Sequence, residues 1–167
     1  MSTEAIFPIV LIMATLLCSL VAGFLFAFAS VLMPGLKRLD DREFIQAFQV
    51  IDGVIQNNQP IFVAVWVGSI LALLASTGLG LGQLVGTQRL LIILASLIYL
   101  VGVQLSTFTI NVPLNNKLQT LNVDEMKETA LKDARIDFEA RWNQWNLIRT
   151  FLAIVTSALL MILLFRI

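Results

Sequence analysis

The chain contains no histidine and only one cysteine, Cys18. Haem held by histidine, zinc sites of the His or Cys type and histidine-based acid–base catalysis all need residues that are missing. With one thiol, a disulfide within the chain is impossible. Cys18 falls in the middle of an apolar run and is expected as a small core residue rather than a reactive thiol. Charge is scarce as well: 13% of residues are charged, against roughly 25% in soluble domains. So few charges cannot cover a water-facing surface. Eleven basic and eleven acidic residues cancel, so no bulk charge points to nucleic acid. No metal and no organic cofactor is expected.

What is abundant is apolar sequence. Hydrophobic residues make up 58% of the 167, and the mean hydropathy is +0.88. Crossing a bilayer takes ~20 apolar residues, and four stretches qualify, at about 6–33, 61–82, 90–112 and 147–165. The expected fold is therefore an all-α membrane protein, a four-transmembrane-helix bundle forming one membrane domain over residues 1–167. Only Glu4 is charged ahead of the first span, so there is no basic leader of the kind that marks a cleavable signal peptide. The last span is short, and Arg149 and Arg166 at its ends are expected to snorkel to opposite interfaces.

Small residues at four-residue steps predict close helix packing: Gly23 and Ala27 in the first span, Ala64, Gly68, Ala72 and Ser76 in the second. Gly78, Gly80 and Gly82 resemble a nucleotide loop on paper, but they follow no strand. They are expected to end the second helix and turn into the third.

The two long connections, 34–60 and 113–146, look alike. Ser30 to Leu39 aligns with Thr109 to Leu118 at an offset of 79 residues, matching hydroxyl, β-branched, proline, basic and leucine positions. This suggests two duplicated helical hairpins, a parallel repeat of the kind known in membrane proteins. Pro34 and Pro113 are each expected to end the helix before them. An amphipathic segment follows each one. In the first, Phe44, Phe48, Ile51 and Ile55 make an apolar stripe, with Gln46, Gln49, Asp52 and Gln56 mostly off it. In the second, Leu131, Ala134, Phe138, Trp142 and Trp145 do the same. These segments are either interfacial helices or continuations of the spans. The connections together with Arg149 just beyond them hold nine of the eleven basic residues, which predicts cytoplasmic connections and outside termini in the plasma (inner) membrane.

Polar residues gather at the connection ends of the spans. Asn111 and Asn115 are one turn apart. Trp142, Asn143, Trp145, Asn146 and Arg149 open the last span, Gln59 joins the same level, and Arg149 can lie over the Trp145 ring. From spacing alone, capping and interface anchoring account for such residues more readily than a ligand site does.

The strings Asn111-Val112-Pro113-Leu114-Asn115-Asn116 and Trp142-Asn143-Gln144-Trp145-Asn146-Leu147-Ile148-Arg149 resemble the anthrone-oxygenase-like membrane family. The Gly23 region ending at Met33-Pro34-Gly35-Leu36 fits as well. The resemblance covers nearly the whole chain. It implies a ligand site at Asn111, Asn115, Trp142, Trp145 and Arg149, and a relation to fungal proteins that oxidise an anthrone to an anthraquinone without metal or flavin. Such chemistry needs a base, and with no histidine only a carboxylate such as Asp52 or Glu139 could serve. Neither is tied to the site by sequence. Two functions stay open: an oxygenase-like enzyme acting on a lipophilic aromatic or quinol, and a non-catalytic lipid- or quinone-binding or structural subunit. The expected partners are the lipid bilayer and a lipophilic small molecule, with room for a homo-oligomer. A transporter is disfavoured, because no Asp, Glu, Lys or Arg lies inside the first three spans.

Overall fold

The computed structural model describes residues 3–167, with the side chains from Ala5 onward; Met1, Ser2 and the side chains of Thr3 and Glu4 lie outside the description. Five helices account for nearly all of it: α1 (residues 3–36), α2 (Asp41–Gln56), α3 (Pro60–Gln83), α4 (Gly86–Gln119) and α5 (Glu128–Arg166). Among the described residues there is no strand. Four of the helices, α1, α3, α4 and α5, are long and apolar enough to cross a membrane. The protein is an all-α membrane bundle.

Neither proline stops its helix, contrary to expectation. α1 runs past Pro34 to Leu36, and α4 runs past Pro113 to Gln119. A π-helical turn precedes each one, Phe28–Leu32 in α1 and Thr107–Asn111 in α4. There the N–H of Met33 reaches back five residues to Phe28 O, and that of Val112 to Thr107 O. The ladder is already out of α register, so a missing proline N–H removes less than it would from a continuous helix. Ser30 Oγ donates to Phe26 O at 2.7 Å, and Thr109 Oγ1 to Leu105 O at 2.7 Å. These hydroxyls satisfy carbonyls just upstream of the kink. Turn, hydroxyl and proline all recur at the 79-residue offset, which extends the sequence repeat into backbone geometry.

The two halves then diverge. In the first, Asp40 and Glu43 form a capping box that starts α2. The chain breaks at Asn57 and Asn58, with Asn58 at φ +57°, and Gln59 caps α3 by accepting from Phe62 N at 2.6 Å. In the second half nothing breaks the chain after Lys127. The amphipathic segment and the span expected at 147–165 are one continuous helix of 39 residues. The second connection is thus largely the lower half of α5. The three glycines at 78, 80 and 82 lie inside α3, which ends at Gln83. The turn is made by Leu84 and Val85, and Gly86 at φ +54° opens α4.

The two connections meet at one end of the bundle. Arg42 on α2 donates to Val123 O (2.6 Å) and Met126 O (3.0 Å). Arg135 on α5 donates in return to Leu39 O (2.9 Å) and Asp41 (3.0 Å). Phe44, Ile45 and Phe48 are buried against Leu131, Phe138 and Trp142; each such side chain contributes about 1.5–3 kcal/mol where water is the alternative. A second cluster fills the membrane level, around Leu11, Cys18, Leu73, Ile92, Tyr99 and Leu160. Apolar burial gains little against lipid, so polar pairs matter more there. Thr77–Ser96 (2.6 Å), Ser69–Tyr99 (2.6 Å) and Trp66–Gln104 (2.9 Å) join α3 to α4. Close approach is used where Gly68 meets Leu17 and where Gly102 meets Leu152, whereas Gly23 faces open space. The seam expected at Gly23 is not a contact within the described residues.

Candidate functional site

A cavity of about 200 Å³ lies between the two clusters, with all five helices contributing to its wall. Its apolar side is aromatic. Phe24 and Phe28 come from α1, Phe48 from α2, Phe62 and Trp66 from α3, and Phe108 from α4. The rings brace one another: Phe62 stacks on Trp66 at 5.3 Å, and Phe28 and Phe48 each pack on Trp142 at 5.6 Å.

Its polar side is built by three helices. From α2 comes Asp52, 3% exposed. Its Oδ1 accepts from Asn115 Nδ2 at 2.7 Å, and its Oδ2 from Gln56 (2.7 Å) and Gln119 (3.0 Å). All three partners donate, which suits a carboxylate acceptor. Asn115 Oδ1 in turn accepts from Trp142 Nε1 at 2.7 Å. From α4, Asn111 donates to Trp142 O at 3.3 Å. From α5, Arg149 donates to Thr107 Oγ1 (2.9 Å) and Asn146 Oδ1 (3.0 Å), while Asn146 donates to Leu25 O (3.2 Å). Arg149 forms no ion pair among the described residues, and neutral groups hold the buried cation. Its Nε and the Asn111 Oδ1 are buried with no hydrogen-bond partner among the described residues.

Four of the five residues expected at the site, Asn111, Asn115, Trp142 and Arg149, line this cavity. Trp145 does not. It is half-buried outside the wall, and the Arg149 guanidinium lies over Trp142 instead, 5.9 Å from the ring centroid. Nor does Arg149 snorkel. It is 3% exposed inside the bundle, because the continuous α5 already has the length that snorkelling was expected to supply. Gln59 is a helix cap. Glu139 pairs with Arg135 at 2.9 Å and stays outside the cavity.

The residue that spacing misplaced is Asp52. Phe44, Phe48 and Asp52 are four apart in turn, so the carboxylate continues the buried stripe rather than lying off it. Attention to that face would have found it. Asn146 belongs to the cavity too, four residues after Trp142. Thr107, Phe24 and Trp66 carried no signal in the sequence.

A family model described as anthrone oxygenase matches residues 52–159. The matched segment opens at Asp52 and includes Asn111, Asn115, Trp142, Asn146 and Arg149. Neither the curated proteins nor the solved structures yield a match.

Proposed function

Because the chain belongs to the anthrone oxygenase family, we propose that it binds a lipophilic, planar aromatic ketone of the anthrone type and oxidises it with molecular oxygen. One observation carries this reading: a buried carboxylate, Asp52, shares an aromatic-walled cavity with a buried arginine, Arg149, held only by neutral groups among the described residues. An anthrone has an acidic CH₂ across the ring from its carbonyl. Asp52 takes one proton from that carbon, and the charge moves to the carbonyl oxygen. Arg149 and the asparagine amides stabilise that oxyanion in a site with little water. The electron-rich anion passes electrons to oxygen and forms a C–O bond at the former CH₂. Loss of the second proton breaks the O–O bond and leaves a new carbonyl. One oxygen atom stays in the quinone, and the other departs as water with the two protons. Two unpartnered polar atoms, Arg149 Nε and Asn111 Oδ1, support the ligand reading, since a buried polar group without a partner costs about 1–3 kcal/mol.

The second reading is a non-catalytic binder of a quinone or lipid. It is favoured by the three donors already held by Asp52, which engage the lone pairs a base would use. Oxygen uptake and anthraquinone formation separate the two, measured on purified chain in lipid vesicles supplied with an anthrone. The enzyme reading expects uptake above the protein-free autoxidation rate, falling by about 10²–10⁴-fold in Asp52→Asn. Uptake at the protein-free rate, with the aromatic still retained, would establish the binder.

The same reading places the protein in the plasma membrane as one domain. Its two connections, which hold eight of the eleven basic residues, are in the cytoplasm and its termini outside.

A further inference from the structure

We propose that the cavity takes its ligand from within the bilayer, through a lateral mouth between the start of α3 and the C-terminal half of α4. The inference rests on the cavity binding a lipophilic aromatic and concerns how that molecule arrives.

Exposure around the wall is uneven. Phe28, Phe48, Asp52, Asn111, Trp142 and Arg149 are all at most 5% exposed. Phe24 on α1, Ile55 on α2, Phe62 and Trp66 on α3, and Val112 and Asn115 on α4 are half-buried, while Phe108 on α4 is 57% exposed, the most of any lining residue. The wall is therefore most open at Phe108, where α4 faces the start of α3. Both are spans, so the opening faces lipid. The surface beside it is uncharged and apolar: Val101, Leu105 and Phe108 follow one another along the outer face of α4 at 58%, 53% and 57% exposure, with Ile61 on α3 at 71%.

The contacts between α3 and α4 explain why the gap falls there. From their connecting turn the two helices are joined in steps, by Thr77–Ser96, then Ser69–Tyr99, then Trp66–Gln104. Beyond Trp66–Gln104 there is no further side-chain hydrogen bond between them among the described residues. The zipper ends at the cavity edge. The Trp66 indole closes it, donating to Gln104 on one side and stacking on Phe62. The π-helical turn Thr107–Asn111 begins three residues past Gln104, and it turns both Thr107 and Phe108 to the cavity. The rim is thus two aromatic side chains, Phe62 and Phe108, on helices with no polar tie between them at that level. A neutral fused-ring molecule dissolved in lipid can pass between such rims. One carrying a fixed charge would have to bring it through hydrocarbon, which is costly.

The chain supplies its own reporter. Two of its three tryptophans, Trp66 and Trp142, line the cavity, so a quinone seated there quenches their emission. The experiment follows quenching in phosphatidylcholine vesicles containing the purified protein. Neutral anthraquinone is delivered by mixing with protein-free vesicles that carry it, or anthraquinone-2-sulfonate is added from water. The mouth predicts quenching by the neutral compound and little by the sulfonate at equal bulk concentration. It also predicts a several-fold faster approach to equilibrium in Phe108→Ala, and a several-fold slower one in Val112→Phe, at unchanged helix content. Equal quenching by the sulfonate would overturn it, as would rates indifferent to both substitutions. Because the readout is binding, absent oxygenation with normal quenching discards the reaction and keeps the mouth. No quenching by the neutral compound in the unaltered protein discards the aromatic ligand and the mouth together.

Discussion

Asp52 on α2 and Asn115 on α4 meet at 2.7 Å across 63 residues of sequence. The same asparagine accepts the Trp142 indole N–H at 2.7 Å. One side chain therefore ties the first connection, the third span and the last helix together at the cavity.

Asn115→Leu takes one of three donors from Asp52 and removes the acceptor of Trp142 Nε1. Leaving such groups unpaired costs on the order of 1–3 kcal/mol. The expected result is a lower melting temperature in detergent, with a shift in tryptophan emission as Trp142 loses its polar contact. A melting temperature equal to that of the unaltered protein would mean the bridge does not hold α2 in place.

Arg149 lies inside the bundle rather than at its edge, which makes it a test of ligand binding. Arg149→Lys keeps the charge but cannot reproduce the two-pronged contact with Thr107 and Asn146. Small molecules that co-purify with the protein can be identified by mass spectrometry for the unaltered chain, Arg149→Lys and Arg149→Ala. An aromatic compound should be lost from both variants by more than the folded yield falls. Parallel loss of compound and yield would assign the arginine to anchoring alone.

Gly102 and Gly23 are both small residues in spans, yet they predict opposite outcomes. A Cβ at Gly102 would come within 2.6 Å of Leu152 Cδ1, whereas nothing lies within 4 Å of one at Gly23. Gly102→Val should destabilise by about 1–3 kcal/mol, as overpacking does, and Leu152→Ala in the same chain should recover part of that. Gly23→Ala should be neutral or slightly stabilising. Thermal unfolding of the four proteins checks the contrast.

Arg42 reaches Glu128 at 2.9 Å, but the acid is 75% exposed, and exposed ion pairs contribute ~0–1 kcal/mol. The bonds to Val123 O and Met126 O are the ones that close the 120–127 segment. Glu128→Gln should therefore leave limited proteolysis of that segment nearly unchanged, while Arg42→Ala should speed it several-fold. Equal effects would mean the ion pair, not the carbonyl clamp, holds the turn.

Some of this was open to inspection in the chain itself, and the pattern of misses is physical. The proline at each connection was visible, but its consequence was not. A π-helical turn upstream lets each helix continue, and in each turn a hydroxyl, Ser30 or Thr109, donates to a carbonyl four residues back. Trp145 and Arg149 are a helical turn apart, yet the guanidinium lies over Trp142, because its partners Thr107 and Asn146 draw it inward.

The sequence by itself determined the class of the protein. Long uncharged runs can satisfy their backbone in lipid only as helices, and two basic connections at matching positions belong on one side. These are local properties of composition and order. Only the tertiary structure decided which residues share a cavity. Asp52 comes to Asn115 and Trp142 through the rotation of three helices about their own axes, and Arg149 is turned into the bundle by the same packing. Those rotations depend on every side chain between the helices at once, and no spacing along one helix encodes them.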